Sequence, residues 1–307
     1  MPGREASGAD FQSKFLNEFT VTGLLGEGGF GEVFEVENQL DCGKYAVKRI
    51  AVDPRELETD LREVRAMALL DHPHIIRYHG TWVEKPPVGW QRKTDETINT
   101  DILFYTNKKL RQHEENSVFI YIQMQLCKNS LDAWLFKNKT QDSRPLQRMK
   151  SWFRQIVSAV EYIHEQNLIH RDLKPNNILF VDEDRLKLCD LGIVTEREFE
   201  DGEEIAVTRT YRIGTDLYMS PEQRRGEDKK TRYSSKTDIF TLGLILAEIC
   251  VPMTFAERSK FFKYCCRGKQ SDLITDPMTA NFVRLLTQPK PEDRPTCREI
   301  LNHSFLA

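Results

Sequence analysis

Residues 170–179, HRDLKPNNIL, place one His, one Arg, one Asp, one Lys and two Asn between apolar flanks. A little further on, KLCDLG (187–192) sets another aspartate, Asp190, after a short apolar stretch. Two carboxylates, an ammonium group and an amide oxygen are what phosphoryl transfer requires. That chemistry asks little covalent participation of a protein. It needs a carboxylate to orient the attacking hydroxyl, cations near the transferred charge, and oxygen ligands for a metal. In this reading Asp172 accepts the hydrogen bond of the attacking hydroxyl, and Lys174 lies close to the moving phosphoryl group. Asn177 offers a neutral oxygen to a Mg²⁺ that keeps several waters, and Asp190 supplies the charged ligand between metal and phosphates. A polar turn built on Asx and Pro chemistry is the alternative. It accounts for the asparagines, but not for Asp172, Lys174 and Asn177 in that order followed by D-x-G.

A second phosphate signal lies near the start. LGEGGFGEV (25–33) holds Gly26, Gly28 and Gly31 in G-x-G-x-x-G spacing. Glycines let backbone N–H groups approach phosphate oxygens without a Cβ in the way. A plain glycine-rich hairpin turn would explain the spacing equally well, and in the dinucleotide-binding fold such glycines open a helix. Here they precede EVFEVE, which alternates as a strand does, so the glycine loop joins two antiparallel strands. A glycine loop of that kind resembles the protein-kinase form, which implies a lysine on the next strand, and YAVK supplies Lys48. A lysine ending a strand is ordinarily a solvated edge charge; the glycine loop upstream favours phosphate pairing. The helical stretch RELETDLREVRAMALL (55–70) offers Glu56, Glu58 and Glu63 as carboxylates to hold it, and periodicity leaves the choice among them open.

The elements that must position these groups follow from periodicity. FTVTGLLG, EVFEVEN and KYAVKRI, between residues 19 and 50, read as strands separated by Gly-rich or Asp/Gly turns. IIRYHGTWVE (75–84) and SVFIYIQMQL (117–126) are two further strand candidates. The polar, charged segment between them begins at Pro-Pro and is long enough to be a mobile insertion rather than core. After Cys127 the character turns helical: SWFRQIVSAVEYIHEQ (151–166) carries Trp152, Phe153, Ile156, Val157, Val160 and Ile163 on one face. Later helices are expected at 236–250, 255–266, 279–287 and 296–303. A β-rich first third and an α-rich remainder imply two lobes joined near residues 125–128.

Composition sets the outer limits. The 307 residues suffice for one large or two medium domains, and 44 basic against 47 acidic residues argue against broad nucleic-acid binding. Seven cysteines without a C-x-x-C point to free thiols in a reducing compartment. The polar start MPGREASGAD is no signal peptide, and the longest apolar stretch, IFTLGLILAEI (239–249), is too short to span a bilayer and contains Glu248. The chain reads as soluble, as a catalytic fragment or stand-alone member with no sensor, RNA-binding or membrane segment.

Taken together, these motifs resemble the eukaryotic protein kinases over roughly residues 19–305. The resemblance implies an α+β bilobal fold with a small β-rich N-lobe and a larger α-helical C-lobe. It assigns 1–13 to a flexible tail, 14–124 to the N-lobe with an insertion at about 85–116, 125–128 to the hinge, and 129–307 to the C-lobe with an activation segment at 190–222. It implies ATP and Mg²⁺, Glu63 as partner of Lys48, and an ATP site of Leu25, Gly26, Gly28, Gly31, Val33, Ala46, Lys48, Met124, Gln125 and Cys127. Met124 would be the gatekeeper. Structural roles fall to Glu222, Asp238 and Arg294, with Arg294 pairing Glu222. Two departures stand out: Asp190-Leu191-Gly192 in place of D-F-G, and Ser220-Pro221-Glu222 in place of A-P-E. Neither removes a charge needed for transfer.

Lys174 and Thr215 resemble the serine/threonine branch. Thr208, Thr210 and Thr215 stand beside Arg209 and Arg212; phosphate on Thr210 could pair with arginines, including Arg171, and order the segment. By resemblance Thr210 is the autophosphorylation site, and Thr215 supports the catalytic loop. YIQMQLC, GTDLYMSPEQ and DIFTLGLILAEI resemble kinases of the alpha subunit of translation initiation factor 2. RELETDLREVRAMALLDHPHIIRYHGTWVEKPPVGWQ is most similar to the endoplasmic-reticulum stress member, and FAERSKFFKYCCRG is similar to the double-stranded-RNA-activated member. The resemblance implies the factor's alpha subunit as substrate, docked at Thr254 and Glu257, which also read as a helix capping box. It implies a back-to-back dimer of N-lobes through Lys14, Glu18 and Tyr78, although a lone Lys/Glu pair is ordinarily surface decoration. Cytoplasmic placement is expected, on the cytosolic face of the endoplasmic reticulum for that member, with no direct nucleic-acid or membrane contact by this chain. A transfer-silent nucleotide-binding scaffold, a small-molecule kinase and a kinase of another substrate are the competing readings.

Overall fold

The structure is a computed structural model that describes residues 11–28, 31–106, 117–190, 195–196, 198–200, 203–205, 217–225, 234–269 and 271–307. The chain divides into two compact units, Met1–Leu69 with Arg77–Leu126, and Leu70–Ile76 with Cys127–Ala307.

The first unit is built on five antiparallel strands: β1 (Phe19–Gly28), β2 (Gly31–Asn38), β3 (Lys44–Val52), β4 (Tyr78–Glu84) and β5 (Val118–Gln125), in the order β1-β2-β3-β5-β4. Helices α1 (Lys14–Glu18), α2 (Leu57–Ala68) and α3 (Trp90–Thr106) accompany the sheet. Alternation decides which side chain meets which face. Glu32, Phe34 and Val36 of β2 are buried, and Phe34 pairs across the ladder with Val47 of β3. Phe15 of α1 and Ile98 of α3 close over this face, joining Phe19, Leu24, Phe119 and Tyr121 in one apolar cluster.

Three boundaries differ from the sequence expectations. Residues 11–13 are not tail: Phe11 packs edge-on against Trp90, and Ser13 caps α1 while donating to Glu84 Oε2 at 2.8 Å. The insertion is not merely a mobile excursion, because its α3 helix buries Ile98 and Asp95. Its polar composition hid a short buried stripe. Residues 70–76 sit with the second unit, because Ile76 N–H donates to Leu188 O at 2.8 Å and Leu188 N–H to His74 O at 2.8 Å. The strand therefore begins only at Tyr78.

The second unit is mainly helical. Two short ribbons, β6 (Asn129–Ser130) and β7 (Leu168–Ile169), precede β8 (Ile178–Phe180) and β9 (Leu186–Leu188); the order β6-β8-β9 makes a three-stranded sheet. The helices are α4 (Leu131–Lys137), α5 (Leu146–Glu165), α6 (Pro221–Arg225), α7 (Lys236–Cys250), α8 (Phe255–Cys266), α9 (Pro277–Leu286) and α10 (Cys297–Leu301). The apolar face of α5 expected from its spacing is buried, and α7 is buried all round from Thr237 to Cys250. Such a helix belongs to a core rather than a surface. Among the described residues no helix is long and apolar enough to cross a membrane. All seven cysteines are described, and no disulfide joins any of them.

Candidate active site

In the first unit, the strand register places the expected nucleotide residues on one face. Val33 pairs with Lys48 across β2 and β3, and Ala46 pairs with Met124 across β3 and β5. Residues two apart on β3 share a face, so Val33, Lys48, Ala46 and Met124 all lie opposite the apolar cluster. Lys48 is buried; Gln125 ends β5. The side chain of Glu63 lies outside the described residues, although its backbone belongs to α2.

The two strands that carry the glycines meet at Gly28 and Gly31. Gly31 has φ +108°, and a Cβ there would stand 2.0 Å from Arg49 O. No other residue type fits that backbone. Gly26 is the opposite case: its missing Cβ would meet no heavy atom within 4 Å. Leu25 beside it is exposed. The hairpin is thus tight against β3 at one glycine and open at another, as a cradle for phosphate oxygens must be.

In the second unit, Asp172 and Asn177 are buried within one loop. Lys174 Nζ donates to Asp172 Oδ2 at 2.7 Å. Asn177 Nδ2 donates to the backbone O of Asp172 at 2.8 Å and to its Oδ2 at 3.1 Å. Committing both amide donors inward leaves Asn177 Oδ1 for a ligand outside the loop. Cys189 N–H donates to Asn177 O at 2.8 Å, which ties the residue before Asp190 to the same loop. Asp190 itself has φ +59°, a left-handed conformation uncommon outside glycine. Cys127 is half-buried, and burial pushes its thiol up to about 11.

The loop hangs from α7. Asp238, fully buried, accepts His170 N–H on Oδ2 and Arg171 N–H on Oδ1, both at 2.9 Å, and its Oδ2 lies 2.8 Å from His164 Nε2. Burial would raise this carboxyl, yet its His164 and His170 partners hold it below the ordinary carboxylate range. Arg294 Nη1 and Nη2 donate to Glu222 Oε1 and Oε2 at 2.6 and 2.9 Å, and Gln223 Nε2 donates to Arg171 O at 3.3 Å. The segment after the loop is thereby fastened to the loop itself. His164 and Gln223 carried no motif that would have singled them out. Nor did the cluster in which Glu248 takes Tyr218 O–H and Arg258 Nη1, each at 2.5 Å.

Thr210 and Thr215 lie outside the described residues, as do Leu191 and Gly192. Thr254 and Glu257 form the expected capping box at the start of α8 and are exposed. Lys14 and Glu18 pair at 3.8 Å with both side chains well exposed, and Tyr78 is half-buried on β4.

A family description, the protein kinase domain, matches residues 19–306. The chain belongs to the protein kinase family. Among curated proteins, the kinase is 37% identical over 94% of its length to the interferon-induced, double-stranded RNA-activated protein kinase of Rattus norvegicus, covering 52% of that protein. It is 26% identical over 96% of its length to the eukaryotic translation initiation factor 2-alpha kinase pek-1 of Caenorhabditis elegans, covering 45% of it. To the eukaryotic translation initiation factor 2-alpha kinase 3 of Rattus norvegicus it is 25% identical over 96% of its length, covering 44%. The chain therefore spans about half the length of these relatives. Identity is higher to the RNA-activated kinase than to the two proteins named for the initiation factor, whereas the helix-to-strand stretch at 55–91 pointed first to the endoplasmic-reticulum stress member.

The donor set suits ATP with magnesium. Asn177 and Asp190 would contribute one amide and one carboxylate oxygen, the sparse hard-oxygen set that suits Mg²⁺. Among the described residues no group of three or more His, Cys, Asp or Glu could hold a metal ion.

Proposed function

We propose that this kinase transfers the γ-phosphate of ATP to a serine of the alpha subunit of translation initiation factor 2, lowering translation under stress. The observation that carries transfer is the Asp172–Lys174–Asn177 loop, bonded internally and to the strand end before Asp190. Asp172 orients the substrate hydroxyl and accepts its proton as the new oxygen–phosphorus bond forms and the bond from the γ-phosphorus to the bridging oxygen breaks, with ADP leaving. Lys174, held at 2.7 Å from that carboxylate, offsets charge on the phosphoryl oxygens. Lys48 and the Gly26–Gly31 hairpin bind the phosphates. Asn177 and Asp190 would hold a magnesium ion, which would supply neutralisation of the phosphate charge.

The substrate assignment rests on the relatives named as initiation-factor kinases. Thr254 and Glu257, exposed at the start of α8 beside an exposed Phe255, offer the docking edge. Activation through back-to-back pairing at Lys14, Glu18 and Tyr78, with autophosphorylation at Thr210, completes the proposal. The test is incubation of the purified chain with labelled ATP, Mg²⁺ and recombinant factor. Label on a serine of the alpha subunit supports the proposal. Autophosphorylation alone would redirect the search to another substrate, and no label anywhere would leave a nucleotide-binding scaffold. Sedimentation at high concentration tests pairing; a monomer in both phosphorylated and dephosphorylated protein would exclude it.

A further inference from the structure

Lys48 is followed on β3 by an arginine whose side chain is fully buried. Alternation puts Arg49 on the face opposite Lys48, between the rings of Phe34 and Phe119, with its guanidinium 5.2 and 5.4 Å from their centroids. Its Nη1 donates to Asp95 Oδ1 at 2.7 Å, and its Nε faces Glu32 Oε2 at 3.5 Å. Asp95 belongs to α3, inside the insertion, and also accepts Gln91 Nε2 at 2.9 Å one turn earlier. Burial opposes the charge on Arg49, but Asp95, Tyr121 and Glu32 outweigh it, and the group stays a cation. A buried cation of this kind stays in place only while its partner does.

Two contacts of Arg49 bear on the glycine hairpin, one through its side chain and one through its backbone. Glu32 is the ladder partner of Arg49 and the neighbour of Gly31, and Gly31 presses against Arg49 O. We propose that Asp95 is a positioning residue for ATP: through Arg49 it clamps helix α3 to the back of β2 and β3, and so fixes the glycine hairpin and Lys48 from behind. The insertion is then a brace of the nucleotide site rather than a spacer between strands. Loss of the clamp releases β3 and the hairpin base together, and the nucleotide must spend binding energy to reorder them. Both strands belong to the compact unit that holds α3, so the clamp acts locally.

The inference rests on the proposed ATP-dependent transfer and is tested on the full chain by steady-state kinetics with ATP as the varied substrate. Asp95→Asn is expected to raise KM for ATP about tenfold while changing KM for the protein substrate little. Fewer folded molecules would lower the apparent kcat but leave KM untouched, so the split separates positioning from simple loss of fold. Arg49→Met with Asp95→Leu replaces both charges by apolar side chains and should bring KM for ATP back to within about threefold of the parent. Gln91→Leu removes only the second bond to Asp95 and is expected to raise KM about twofold, which keeps the test open should Asp95→Asn fail to fold. An unchanged KM for ATP in the single variants overturns the inference, as does a raised KM that the double variant does not restore. Absence of turnover in the parent protein would instead overturn the proposed function.

Discussion

Asp238 accepts the backbone N–H of Arg171 at 2.9 Å, across 67 residues of sequence, and Arg171 has φ +66°. A non-glycine residue in that region costs about 1–2 kcal/mol, so the carboxylate stabilises a backbone that the loop would not otherwise keep. The turn it stabilises aims Asp172. In Asp238→Asn one oxygen is replaced by an N–H donor facing an N–H, which costs about 1–3 kcal/mol. We expect kcat to fall about tenfold or more, with KM for ATP nearly unchanged. Chemical denaturation and initial rates on one preparation would check both.

Lys48→Ala and Asp190→Ala should abolish transfer and leave the fold intact, because each removes a proposed phosphate or metal partner rather than an apolar core side chain. Circular dichroism together with a labelled-ATP assay measures this directly. Retained turnover in either variant would refute its assigned role.

The glycines separate by the space around them. Gly31→Ala puts a Cβ against Arg49 O in a left-handed backbone and should destabilise the hairpin, visible as a lower melting temperature. Gly26→Ala meets no protein atom, so it should leave melting unchanged and raise KM for ATP. A Gly26→Ala protein with parental KM would show that phosphates do not approach there.

Glu222 carries a pH signature. Burial by itself would raise its carboxyl, yet the hydrogen bond and charge of Arg294 override burial and hold it below its ordinary value. A depressed carboxyl contributes stability that is complete above its unfolded value, about 4.3, and is lost as the pH falls through the lower folded one. Unfolding free energy should therefore drop more steeply below about pH 4.3 in the parent than in Glu222→Gln. At pH 7 that variant should be less stable by about 3 kcal/mol, because Arg294 is left buried without its charge partner. Parallel denaturation series at pH 7 and in acid read out both.

Much of this was legible before any coordinates. The order Asp172, Lys174, Asn177 and Asp190 marks a transfer loop because few other structures need those groups so spaced. The period-two pattern around Lys48 located three strands to within a residue or two. What stayed hidden was long-range polar pairing. Nothing local distinguishes Asp95 from the other charges of a polar insertion, since its significance lies in Arg49, 46 residues earlier. His164 likewise looks like the last turn of an amphipathic helix until Asp238 is beside it. Ile75 and Ile76 read as strand because they are apolar and β-branched. They pair instead with Leu188 inside the second unit, to which they belong, a choice set by tertiary contacts rather than propensity.

The most direct measurement compares the parent protein with Asp172→Ala, following both nucleotide affinity and transfer of the γ-phosphate in a single turnover with Mg²⁺. Removing the group that receives the hydroxyl's proton should slow transfer by about 10²–10⁴-fold while the dissociation constant for ATP changes little. Equal transfer rates in the two proteins would contradict the assignment of phosphoryl transfer to this loop.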